Sequence, residues 1–458
     1  MSAFSPDTGH GASTFWKPPA RPMRRPRSEA YLARARQSIA GGDSSTMRAL
    51  PYHPAVVMES GKGCRIRDVD GNEYIDMNMA YGPLLFGHRP DALVEAVVDQ
   101  VTRKGSQLGF PQELNFIVGE QIRALYPGME LMRFANSGTE AIASAIRLAR
   151  AHTKRDGIVL FEGHYHGWSE AVFHKYHAPL EKLSDTAGAV ALPGTAGMAG
   201  SLDKAYMARW NDIASLEACL DRHDGTIAAV IMEPVMGNAN VIAPAPAYLE
   251  AVRELTRARG VLLIFDEVIT GLRVAAGGAQ ELYGVRPDIT VLSKSLAGGY
   301  PIAAFGASAE LMQLIVDGTL FHGGVYSGNA LVLAAAHAQL TMVAGQGQAL
   351  YDHLEARSAQ LAAGVAEIFN RRGIHHVVRN VGGLIGICVT KTPVNALREY
   401  RDVAAHGDFE WYKGFQRALF DRGVYFHPNM YEPLFMSAAH GEADIDAVLD
   451  RVDDAIPN

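Results

Sequence analysis

The chain has 458 residues, 48% of them hydrophobic and 20% charged, with a net charge of −7; it is too long for one simple core, and its acidic balance argues against a nucleic-acid-binding surface. Its three cysteines, Cys64, Cys219 and Cys388, are odd in number and widely spaced, which gives neither a disulfide framework nor a metal-ligand pattern. No apolar run approaches the roughly 18 residues that cross a bilayer, so a cytoplasmic globular protein with no metal and no membrane partner is expected. The start, Met1 to Arg27, lacks a signal-peptide core and is rich in Pro, Gly, Ser and Arg; residues 1–27 are read as a mobile arm whose Arg21, Arg24, Arg25 and Arg27 are solvated. Helical spacing runs from Ser28 to Ala40, ended by Gly41-Gly42. SSTMRALPYHP follows as a loop with one arginine, Arg48. From Val56 to Met79, short strands alternate about an Asp70-Gly71 turn, and Pro90–Lys104 and Glu113–Leu125 carry apolar residues at the three- and four-residue spacing of amphipathic helices.

Up to about Gly306 the pattern then changes to short apolar runs alternating with helices: MRFA, GIVLF, IAAVIM, VLLIF, ITVL and IAAFGA. Such alternation predicts crossover units around a mostly parallel sheet. Chemistry gathers where these runs end. After a strand ending near Ala135, Asn136-Ser137-Gly138-Thr139 opens a helix, placing free N–H groups and hydroxyls at its positive end; this suits a phosphate, although a plain N-cap explains it equally well. In EGHYHGWSE, Tyr165, His166 and Trp168 either pack or present an aromatic face to a flat group. The run VLLIF leads into Asp266, and ITVL leads into Ser293 and Lys294. A lysine at a buried strand end loses water around its charged form, so its amine becomes a nucleophile towards carbonyls. Asp266 there needs a cationic partner to stay ionised. Pyridoxal phosphate (PLP) satisfies both, its aldehyde taking Lys294 as a Schiff base and its ring nitrogen pairing with Asp266. Each residue alone reads as readily as a snorkelling lysine or a helix-capping aspartate. Together they gather outside the carboxyl ends of strands, where open α/β sheets bind ligands. A helical stretch through Leu331–Val343 precedes a mixed tail from Ala349 in which LIGICVT is a clear strand.

NSGTEA, YHG, EPVMGN, DEV and LSKSLAGGYPIAAFG, in this order and with this interval between Asp266 and Lys294, resemble the class III aminotransferases of PLP fold type I. SSTMRAL, MAYGPLLFGH and YEPLFMSAAH resemble the branch that contains glutamate-1-semialdehyde 2,1-aminomutase. The resemblance implies an α/β fold with a large PLP-binding domain over residues 91–345 and a smaller α+β domain built from residues 28–90 and 346–458. It implies Lys294, Asp266 and Tyr165 as catalytic residues. Ser137, Gly138 and Thr139 would hold the phosphate, Val268 would pack under the ring and Tyr165 on its other face, with His166, Glu233 and Asn238 completing the cofactor set. Arg48, Tyr81 and Glu432 would meet the substrate, Arg48 by its carboxylate and Glu432 near its amino group. A homodimer with composite sites is also implied, in which Gly324 and Val325 of HGGVYSGN reach the partner's phosphate. The expected activity is amino-group exchange between a carboxylate-bearing amine, an α- or β-amino acid, and an oxo acid; intramolecular transfer of the aminomutase kind is the alternative. The sequence departs from the branch at Val325, where a threonine is usual, at Tyr81, where the aminomutase has tryptophan, and in the loop from about His174 to Arg209.

Overall fold

The computed structural model describes residues 16–17, 19, 23–48, 53–198 and 200–457. Its centre is a seven-stranded sheet in the order Leu131–Ala135, Ala303–Ala307, Ile289–Leu292, Leu262–Glu267, Ile227–Met232, Gly157–Phe161 and Ala205–Ala208. Ala303–Ala307 pairs antiparallel with both neighbours and the other pairings are parallel. These strands read as continuous aliphatic runs because both faces are covered. Leu263 and Phe265 point into one core with Val252, Leu333 and Leu354, while Ile264 between them points into the other, with Ile142 and Ile146 of the helix Gly138–Thr153. Six of the seven strands follow the apolar runs of the sequence. Ala205–Ala208 was not foreseen: four residues, AYMA, are too few to show a period.

The two ends of the chain meet beside this sheet. Strands Met58–Lys62, Arg65–Asp68 and Glu73–Asp76 form an antiparallel meander, and Val424–Tyr425 joins its edge in parallel, Val424 opposite Ile75. Asp70-Gly71 lies in the turn as expected; Gly71 has φ 89°, and Asp68 accepts the N–H groups of Asp70 and Asn72. A second small sheet pairs His376–Val381, Leu384–Val389 and Leu434–Phe435. The first helix is Pro26–Ala35, shorter than the expected Ser28–Ala40, with proline in its first turn.

The solvated-arm reading is corrected at Arg25. Its side chain is buried, donates to Tyr74 Oη and Asp421 Oδ1 at 3.0 Å each, and lies 4.5 Å over the Phe420 ring. Trp16 packs edge-on against Trp411 at 4.9 Å. Arg24 and Arg27 are exposed, and Arg21 lies outside the described residues. No helix of the described residues is long and apolar enough to cross a membrane.

Candidate active site

The parallel strands end on one edge of the sheet, and a cavity of about 330 Å³ opens there. Ser137, Gly138, Thr139, Tyr165, His166, Glu233, Asn238, Asp266, Val268 and Lys294 all face it, which places ten of the expected residues together. Ser137 caps the 16-residue helix Gly138–Thr153 by accepting the Glu140 N–H at 3.3 Å, and the first-turn N–H groups of that helix have no acceptor within it. They form a positive end suited to an anion. Val268 is so close to this turn that a Cβ on Gly138 would sit 3.2 Å from its Cγ2. The Tyr165 ring stands across the cavity, held by its backbone N–H on Glu233 Oε1 at 2.7 Å. The space is therefore shaped for a flat group with an anionic tail.

The charged groups are fixed at its inner end. Asp266 Oδ2 lies 2.7 Å from His166 Nδ1, and Oδ1 accepts the Val268 N–H at 3.1 Å. His166 Nε2 is buried with no partner among the described residues, so the pair is satisfied on one side only. Glu233 is buried, which raises its pKa, but its oxygens also accept from Gly237 and from the backbone and side chain of Asn238. Lys294 has φ 39°, a left-handed conformation that is unfavourable for a side chain of this kind and recurs at functional sites. Burial pulls its amine below the usual lysine value; Glu432, Glu233 and Asp266 oppose that pull, and Arg273 adds to it.

A second cavity, about 530 Å³, shares Tyr165 with the first. It is lined by Ser44, Ser45, Thr46, Met47, Tyr81, Trp168, Phe173, Tyr176, His427, Asn429 and Glu432. Tyr81 and Glu432 thus lie beside the cofactor cavity. Burial is the main cause that pushes the Glu432 carboxyl up to about 7, with Lys294 opposing and Glu233 reinforcing the shift.

Three expected residues lie elsewhere. Arg48 is exposed, and its guanidinium is engaged by Asp43, Nε to Oδ2 at 3.2 Å and Nη2 to Oδ1 at 2.7 Å. Ser44 to Met47 line the second cavity, whereas Arg48 lines neither. Gly324 and Val325 also lie outside them; Val325 is 77% exposed, and its carbonyl accepts from Gln107 Nε2 at 2.6 Å. Other residues were missed. Arg273 is fully buried with no acid paired to it among the described residues, its guanidinium capped by the carbonyls of Gly82 and Met436. Nothing in ITGLRVA distinguishes it from a surface arginine. Phe173 and Tyr176 lie in the irregular loop after YHG, where no periodicity signals which way a ring points.

Comparison with known proteins adds four findings. The family model described as Aminotransferase class-III matches residues 47–456. A glutamate-1-semialdehyde 2,1-aminomutase of Sorangium cellulosum (strain So ce56) is 40% identical over 436 residues, covering 94% of this chain and 96% of its own. Among solved structures, an omega-transaminase from Sphaerobacter thermophilus superposes with a TM-score of 0.86 at 31% identity, covering 93% of this chain and 96% of its own. A transaminase with PLP bound does so with 0.83 at 27% identity, covering 94% and 97%.

Proposed function

We propose that this chain, which belongs to the class-III aminotransferase family, passes the amino group of an amine donor to an oxo compound by way of PLP carried on Lys294. The cofactor supplies the aldehyde that receives the amine and the ring that takes up the electrons of the substrate carbon. The residues present fit it: a slot between Val268 and Tyr165, unsatisfied N–H groups at a helix start for its phosphate, and Asp266 for its ring nitrogen. Lys294 would hold it. The lowered pKa lets the freed Lys294 amine take a proton from the substrate carbon and return it. Asp266 is oriented by His166 and the Val268 N–H, which keeps its carboxylate aimed into the cavity. The observation that carries this reading is the convergence of Lys294, Asp266 and the helix start at Ser137 on one cavity. Adding an amine donor alone to the holoenzyme should convert its bound cofactor to the pyridoxamine form, read as loss of the absorbance band of the lysine-bound form; no conversion by any donor would refute amino transfer.

Intramolecular transfer of the aminomutase kind is the second reading, and on likeness alone it is the better supported of the two, since the 40% relative spans nearly the full chain. Arg48, the expected carboxylate anchor of both readings, is held outside by Asp43, so its placement does not choose between them. Glutamate 1-semialdehyde supplied without any oxo acid separates them. Conversion to the isomer with nitrogen moved to the neighbouring carbon, and no other product, supports the aminomutase; release of the deaminated dioxo acid supports the aminotransferase.

The expected homodimer is supported by Phe110, Phe321, Val325 and Tyr326, which stand exposed on loops joined by the Gln107–Val325 hydrogen bond. Sedimentation as a monomer would remove it.

A further inference from the structure

The second cavity carries an inference about what the donor looks like, resting on the amino-transfer reading above. Among the described residues that line it there is no lysine or arginine. Its histidine is not a cation either. The Asn429 N–H donates to His427 Nδ1 at 3.1 Å, which makes that nitrogen an acceptor and leaves the proton on Nε2, 3.1 Å from Tyr81 Oη; the Tyr81 hydroxyl in turn donates to the Met47 carbonyl at 2.7 Å. Burial holds the pKa of His427 down to about 3. The polar atoms of this relay satisfy one another, and ring faces make up one side of the lining, beside the uncharged Ser44, Ser45, Thr46 and Asn429. Tyr165 and Tyr176 lie 4.9 Å apart at 55°, Phe173 meets Tyr165 edge-on at 6.4 Å, and Trp168, 71% exposed, stands at the rim. The one ionisable carboxyl in the lining is Glu432, which attracts an ammonium and repels a carboxylate once ionised.

We propose that this cavity is an aromatic cage that selects donors by an apolar or aryl arm on the amine-bearing carbon, and that it offers a carboxylate no cationic anchor. An aryl arm would stack among Phe173, Tyr176 and Trp168 while its amine faces Glu432 and Lys294, a division of apolar and cationic ends that the two cavities reproduce.

The experiment measures, with the holoenzyme, the rate at which each donor converts the bound cofactor to its pyridoxamine form. The donors are 1-phenylethylamine, 3-amino-3-phenylpropanoate, 2-aminopropane, L-glutamate and glutamate 1-semialdehyde. The cage predicts that 1-phenylethylamine exceeds L-glutamate and glutamate 1-semialdehyde in kcat/KM by about 100-fold or more, and that adding the carboxylate in 3-amino-3-phenylpropanoate brings no gain. Trp168→Ala, at the exposed rim, and Tyr176→Ala should each lower kcat/KM for 1-phenylethylamine by about 10-fold while changing 2-aminopropane less than about 3-fold, with Tyr176→Phe restoring the difference. Preference for L-glutamate or glutamate 1-semialdehyde, or equal loss for large and small donors in both alanine variants, would overturn the cage and leave amino transfer standing. Conversion by none of the donors would overturn both.

Discussion

The two cavities share Tyr165 and are built on opposite plans. The cofactor cavity draws on short contiguous stretches at the ends of parallel strands, each fixed by the backbone that precedes it: Ser137–Thr139 after one strand, Tyr165-His166 after another, Asp266 in a third and Lys294 after a fourth. The second cavity collects single side chains from the loop at residues 44–47, from Tyr81, from the irregular loop at 168–176 and from the segment 427–432. Chemistry that needs fixed positions is borne by regular structure; the surface that meets a variable substrate is borne by connections, which can change without unpairing the sheet.

Four substitutions separate the plans, in falling order of effect. Lys294→Ala removes the amine that holds the cofactor and moves the proton, so turnover should drop by several orders of magnitude while the phosphate contacts keep some cofactor bound. Absorbance of the purified variant and its steady-state rate check both halves, and near-normal turnover would break the contrast at its stronger side. Glu432→Gln acts where the cavities meet. The Glu432 carboxyl, raised to about 7, is neutral below that pH and an anion above it. The ratio of wild-type to variant kcat/KM for an amine donor should therefore rise by about 10-fold between pH 6 and 8. Stability runs the other way. An acid whose folded pKa lies above its ordinary 4.5 binds its proton more tightly in the native state. The cofactor-free protein should thus lose on the order of 3 kcal/mol relative to the variant as pH climbs from about 4.5 to about 7, and little more above that. Thermal melts of both proteins across that range read the sign directly.

Tyr81→Phe should cost less. Losing the hydroxyl breaks the bridge between His427 and Met47 at about 1 kcal/mol, or roughly five-fold in donor kcat/KM, with cofactor binding unchanged. Equal damage to cofactor affinity would show that the cavities are mechanically one. Arg48→Ala should be smallest. An exposed pair with Asp43 contributes roughly 0–1 kcal/mol, so KM for amino acids and for simple amines should both stay within about five-fold. A large rise confined to amino acids would restore Arg48 as a carboxylate anchor and sink the aromatic cage with it.

The same contrast decides what was legible in the sequence. The run VLLIF could be read because a strand covered on both faces must be apolar throughout, and Asp266 and Lys294 stood out as charges where such runs end. Ser137 was visible through the helical period that follows it. Arg48 could be found as a motif member but not aimed, since a loop residue's direction depends on the turn at Asp43–Ser45, where Asp43 both accepts the Ser45 N–H and captures the guanidinium. Arg25 misled for a related reason: its partners Tyr74 and Asp421 are 49 and 396 residues away, beyond any local pattern. Phe173 and Tyr176 gave no sign because no period governs the loop that holds them.

The pairing of Val424–Tyr425 with Ile75–Asp76 has a consequence for the order in which the enzyme comes into being. The central sheet is complete once the ribosome has made residue 307, whereas His427 and Glu432 are still unsynthesised, and Tyr81 must wait 346 residues for its histidine. Contacts of that span close late, after the locally connected strands have gained their pairing. The nascent protein thus owns a place for its cofactor before it owns a place for its substrate. Pulse-labelled hydrogen exchange during refolding should find Ile227–Met232 protected ahead of Val424–Tyr425, and early loading with PLP would then act as a template on which the chain's two ends close.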